Sequence, residues 1–253
     1  MEILKSEQYI SEKLNIKPVS KDRLDSFKES EVDDKTRLFI EDNNLVWNPL
    51  TKCYDCDGDV KISKDIMLDG KLKIRFGHVK GNFDCFDIKL ITLEGVPQKV
   101  GGDFDCSSNE LTTLEGAPQE VGGFRCSNNE LTTLEGAPLK VGGYFDCNHN
   151  HLTTIKGAPQ KVGEYFDCSV NKLTTIEGAP QEVGGYFDCS HNKLTTLEGA
   201  PQKVGEYFDC IFNKLTNLKG APQTIGGDLY CSNNPNLVLP KTKPSWIKGE
   251  IKK

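Results

Sequence analysis

Val183-Gly-Gly-Tyr-Phe-Asp-Cys-Ser-His-Asn-Lys-Leu-Thr-Thr-Leu-Glu-Gly-Ala-Pro-Gln-Lys203 is one turn of a pattern that fills most of the 253-residue chain. Its Val, Phe, Cys, Asn, Leu, Leu and Pro positions recur from Val79, Val100, Val121, Val141, Val162, Val183, Val204 and Ile225. The step is 21 residues and shortens once, to 20, between Val121 and Val141. A fixed short period is the mark of a stacked-repeat architecture, so it sets the fold class before any single motif is weighed.

Within the unit, Phe187-Asp188-Cys189 alternates apolar, polar, apolar, as a strand with one buried face does. Asn192, Leu194 and Leu197 follow at the leucine-rich spacing L-x-L-x-x-N-x-L-x-x-L, with Cys in a leucine slot. Gly199-Ala200-Pro201 then interrupts regular structure. Pro fixes its own φ and pushes the residue before it to extended geometry, so an extended return path is expected rather than a long helix. One unit offers too few buried side chains to offset the entropy of ordering its backbone. Stacked units share faces and pair strands in parallel, so the array is the folding unit. Strands about 4.8 Å apart predict a sheet roughly 35 Å long.

These residues resemble the short leucine-rich repeats of bacterial secreted effectors. They are more similar to a V-G-G-x-F-D-C-S-x-N-x-L-T-x-L-E-G-A-P form found in repeat proteins of large tailed phages and some bacteria. The likeness covers residues 79 to about 237. It implies a β-rich solenoid with a parallel β-sheet on the concave face, an extended convex side and a small α/β N-terminal cap. It implies no activity, since one fold hosts many functions.

The net charge of −6 lacks the basic patch of a nucleic-acid binder. No run of 18 apolar residues predicts a membrane span. The start Met1-Glu-Ile-Leu-Lys-Ser-Glu-Gln lacks the apolar core of a signal peptide, so a cytoplasmic protein is expected, in the host cytoplasm if phage-encoded, with a virion place as the alternative. Eight of the ten cysteines fall on the repeat: Cys85, Cys106, Cys126, Cys147, Cys168, Cys189, Cys210 and Cys231. In an inward strand slot a free Cys acts as a small buried hydrophobe, and a reducing compartment keeps such thiols apart. Metal or redox chemistry in this column is the other reading.

Four segments are expected. Residues 1–50 are a helical and hairpin segment: Ile3, Ile10 and Leu14 share a helix face that Pro18 ends, and Leu24 and Phe27 mark a second short helix. Arg37-Leu-Phe-Ile40 and Leu45-Val-Trp47, around Glu41-Asp-Asn-Asn44, predict a hairpin. Residues 51–78 read as a degenerate capping unit. They contain Cys53-Tyr-Asp-Cys56, whose C-x-x-C spacing lacks the second pair of a zinc site and the βαβ context of a redox motif. Residues 79–239 are the solenoid. In 240–253, Pro240, Pro244 and Trp246 cover the far end and the tail from Lys248 is expected in solvent.

The period turns positions into columns. Asn109, Asn129, Asn150, Asn171, Asn192, Asn213 and Asn234 satisfy backbone groups where the chain leaves the strand. Asp84, Asp105, Arg125, Asp146, Asp167, Asp188, Asp209 and Tyr230 point outward between Phe and Cys. Asp103, Tyr144, Tyr165, Tyr186, Tyr207 and Asp228 precede the Phe. Like carboxylates on adjacent strands repel by roughly 1 kcal/mol even in water, so the run Asp146 to Asp209 is read as not serving stability. It is either protection against sticking, repeat duplication, or a recognition stripe.

In the last reading Tyr144, Tyr165, Tyr186 and Tyr207 supply rigid contact area. Asp146, Asp167, Asp188 and Asp209 steer a basic protein partner, Arg125 marks a local kink or the patch boundary, and Phe212 adds an apolar anchor beside Ile211. A uniform carboxylate ladder gives no pair of distinct environments for acid–base chemistry. The chain shows no P-loop, nucleophile elbow or H-E-x-x-H. No enzyme, cofactor or metal is expected. Two functions stand: a protein-binding module, which if phage-derived holds or inhibits a host factor, and a structural or virion-associated accessory protein.

Overall fold

In the computed structural model, residues 32–253 are described; the two helices expected in 1–30 lie outside them. Each repeat lays down two very short strands, and these build two parallel sheets. Phe and Asp of every coil pair with Phe and Asp of the next, as in Phe187↔Phe208 and Asp188↔Asp209. The residue pair ending in Val does the same, as in Glu182↔Lys203 and Val183↔Val204. Among the described residues each of these sheets has 10 strands. The fold is therefore a β-solenoid. Its return path is extended, as Ala-Pro dictates, and it also pairs into the second sheet, which the sequence reading did not foresee.

Inward side chains form files. Phe83, Phe104, Phe124, Phe145, Phe166, Phe187 and Phe208 are all at 0% exposure, and neighbouring rings stack at 5.2 to 5.6 Å. The eight repeat cysteines form the adjoining file, none more than 1% exposed. All of these thiols but that of Cys126 donate to a backbone carbonyl of the following coil, as Cys189 Sγ does to Asp209 O at 3.2 Å. Burial pushes the pKa of seven of these thiols well up and that of Cys231 up, which keeps them protonated.

The shortened repeat, expected to mark a local kink or the patch boundary, keeps its strands in register. Phe124 and Arg125 stay in register with Phe104 and Asp105 on one side and with Phe145 and Asp146 on the other. Glu120 and Val121 stay in register with Lys140 and Val141. The missing residue lies between Val121 and Phe124, at the corner joining the two sheets; the Phe–Asp ladder stays complete, while the Val sheet keeps its register with a single pair on each flank, Glu120↔Lys99 and Val141↔Val162.

The ends differ from expectation in two places. Asp34–Asp42 is an α-helix, not half of a hairpin. Thr36 and Phe39, three apart, bury one face of it. Asn43 Nδ2 bonds to the Phe39 carbonyl at 2.9 Å, and Asn44 leaves the helix at φ 49. The hairpin comes later: Val46–Asn48 pairs antiparallel with Cys53–Cys56, and the latter joins the Val sheet beside Phe76–Val79. At the other end the tail keeps its lysines exposed, but its backbone is not free in solvent as expected. Ile251–Lys252 is a parallel strand beside Leu229–Tyr230, and Ile247 bridges to Ile225. Ile247 and Ile251 stand four apart, the spacing of Val204 and Phe208, and so act as a degenerate last coil.

Candidate interaction surface

The outer face of the Phe–Asp sheet carries the predicted residues, and it begins with how the strand ends. A parallel ladder would place the Ser107 N–H opposite the Cys85 carbonyl. That carbonyl is instead taken by Asn109 Nδ2 at 2.8 Å, and the Ser107 N–H turns to Asp105 Oδ1 at 2.9 Å. The same exchange recurs at Asp167 with Ser169, Asp188 with Ser190 and Asp209 with Ile211. The Asp column thus caps the backbone N–H two residues on, an Asx-turn. This corrects the reading that these carboxylates do nothing for stability: each completes what the Asn column displaces. The signal was in the sequence, as Asp two residues before a turn.

Their charges are another matter. Arg125 Nη1 lies 3.2 Å from Asp105 Oδ2 and its Nε 3.5 Å from Asp146 Oδ2. Its guanidinium also lies over the Tyr144 ring, 4.9 Å from the centroid. Burial works against this charge, but Tyr165, Tyr144 and Asp105 outweigh it and hold the pKa above the ordinary arginine value. Tyr144 itself reaches back over the shortened coil, where Gly123 brings no side chain, and donates to Asp103 Oδ2 at 3.0 Å. Lys61 pairs with Asp84 at 3.1 Å. Among the described residues, no such ion pair reaches Asp167, Asp188 or Asp209.

Tyr144, Tyr165, Tyr186 and Tyr207 stack in one row at 4.6 to 5.1 Å. The sequence brings them together as expected, alongside the Asp row. Burial raises the phenol pKa of Tyr186 and takes Tyr207 to about 12. Burial, then the Asp167 charge, raises the Asp146 carboxyl to about 6 and Asp188 to about 7. Burial also raises Asp209.

A carboxyl that is harder to ionise when folded binds more protons in the native state than in the unfolded chain. Its stabilising contribution is present below the unfolded value near 4 and is lost as pH rises through 6 to 7. Urea midpoints should therefore fall between pH 5 and pH 8, by on the order of 3 kcal/mol in stability for the two groups together. Asp188→Asn, which keeps the capping oxygen, should flatten that slope. A midpoint constant from pH 5 to 8 would show that the ladder ionises without cost.

The corner after each strand holds one residue at left-handed φ. Ser108, Asn128 and Asn233 suit it, but the same slot carries His149, Val170, His191 and Phe212 at φ 49 to 53. Val170 is 36% exposed and Phe212 48%. The His191 ring stacks on Phe212 at 4.4 Å. Cys53 and Cys56, three apart on a strand, face opposite ways: one thiol meets Thr51 O and the other Asn43 O. Among the described residues no group of three or more His, Cys, Asp or Glu is placed to hold a metal. Nor is any described helix long and apolar enough to cross a membrane.

No family model, curated protein or solved structure matches the chain.

Proposed function

We propose that this chain is a non-enzymatic binding module. Its Tyr and Asp face, with Phe212 as apolar anchor, holds a protein partner. On the resemblance of its repeats it is a leucine-rich-type protein of a tailed phage or bacterium, acting on a factor in the host cytoplasm. One observation carries the reading. Phe212 is a large apolar side chain, 48% exposed, held at φ 49, where the same corner carries Ser or Asn in three other coils and His in two. A non-glycine residue in that region costs roughly 1–2 kcal/mol, and β-branched Val170 shares the strain. Phe212 recovers part of that cost by stacking on His191, but both side chains keep apolar surface exposed, which contact with another molecule would cover.

The test follows from the trade. Phe212→Asn should raise stability by about 1 kcal/mol, read as a higher denaturant midpoint. It should also lower capture of the partner from host lysate by about tenfold, since anchors of this kind carry much of the affinity. Tyr186→Ala should lower capture as well. A captured protein retained undiminished by both variants would remove this face from the function.

A further inference from the structure

The chemistry of the partner is written into the face by the chain's own arginine. We propose that the segment from Asp167 to Asp209 binds arginine side chains of a partner, each guanidinium seated against the tyrosine row and on the outer carboxylate oxygens, the two kinds of group that Arg125 meets in Tyr144 and in Asp105 and Asp146, one coil to either side of it. This rests on the binding-module reading and names what that module recognises.

Three observations support it. First, Arg125 shows that the face accepts a guanidinium: its nitrogens reach Oδ2 of Asp105 at 3.2 Å and of Asp146 at 3.5 Å, one coil to either side. Oδ1 of each carboxylate stays on its backbone cap, so the outer oxygen is the one offered. Second, the coils that follow carry a carboxylate in every such slot, with no cation among them. Asp167, Asp188 and Asp209 are in register, their Oδ1 atoms cap the same turn, and Tyr165, Tyr186 and Tyr207 run beside them. Asp167 Oδ2 also accepts from Asn148 Nδ2 at 2.9 Å, which leaves the Asp188–Asp209 step the most open.

Third, over the same coils the opposite sheet carries a row of charges that alternates. Lys161, Glu182 and Lys203 alternate in sign along it, with Lys161 and Glu182 paired at 3.0 Å. The Asp ladder has no such alternation beyond Arg125. Arginine fits better than lysine because its planar fork spans two acceptors and lies flat on an aromatic ring, whereas an ammonium is a single, strongly hydrated point charge.

The probes are hexaarginine and hexalysine peptides, with affinity measured calorimetrically at low ionic strength, where exposed charges are least screened. Asp188→Asn with Asp209→Asn removes two charges and keeps both capping oxygens. Glu115→Gln with Glu177→Gln removes two charges from exposed positions elsewhere. The expected result is that hexaarginine binds at least about fivefold tighter than hexalysine. The Asp pair should weaken it by about tenfold and the Glu pair by less than about twofold. Equal losses in the two double variants, equal affinity for the two peptides, or no binding at low salt overturns the proposal. If that happens while Phe212→Asn still abolishes partner capture, arginine recognition falls and the binding module stands; if capture is also insensitive, both fall.

Discussion

Replacing Asn192 by alanine is expected to cost about 4 kcal/mol of stability, read as a lower urea midpoint at constant slope. Asn192 Nδ2 donates to the carbonyls of Cys168, Cys189 and Ser190 at 3.0 to 3.2 Å, and its Oδ1 accepts from the Leu173 N–H at 2.9 Å. Two successive coils therefore lose partners at once. The atoms left behind are buried between the Cys and Leu files, where an unsatisfied group costs roughly 1–3 kcal/mol. Asn192→Asp, which can still accept from Leu173 but turns a carboxylate oxygen toward three carbonyls, should cost at least as much as alanine. Exposed Lys193→Ala should change little. A loss below about 1 kcal/mol for alanine would mean that water enters and takes over the amide's bonds.

The second large effect is expected at Gly205→Ala, a loss of about 3 kcal/mol from overpacking that cannot relax. A Cβ on Gly205 would collide with the Gly184 carbonyl oxygen, and its carbonyl carbon would lie at 2.8 Å. The obstacle is backbone, and the Gly205 N–H is itself fixed to Val183 O at 2.9 Å. The coils would have to separate, and separation breaks both ladders. The same column contains its own control. At Gly142, which follows the shortened coil, the nearest atoms to an added Cβ are 3.8 Å away. Gly142→Ala should therefore be nearly neutral. Equal melting temperatures for the two alanine variants would show that coil spacing gives way more easily than its hydrogen bonds imply.

These two positions show which parts of the molecule could be read from the chain alone. The Phe, Cys and Asn files were legible because a period converts sequence position directly into spatial position, and burial then follows from residue type. The Val sheet was harder to see. A pair such as Lys203-Val204 has no alternation to mark it, and it is a strand only because its copies lie one coil away. The Asp column was placed on the correct face with its role half understood. Its repulsion is visible in any list of charges, while its capping bond depends on the Asn amide having taken the carbonyl first. Outside the repeats the period gives no help. The helix Asp34–Asp42 has two buried residues in nine, too little pattern to separate it from a strand. Ile247 and Ile251 form a coil whose other landmarks are missing.

The corner between Val121 and Phe124 shows that the solenoid can lose a residue there while both sheets keep step. The position that disappears is the one occupied elsewhere by Tyr144, Tyr165, Tyr186 and Tyr207. The scaffold thus separates the letters it displays from the spine that carries them. A lineage could delete or rewrite one letter without first redesigning the packing beneath it, so changes of specificity could accumulate faster than changes of fold.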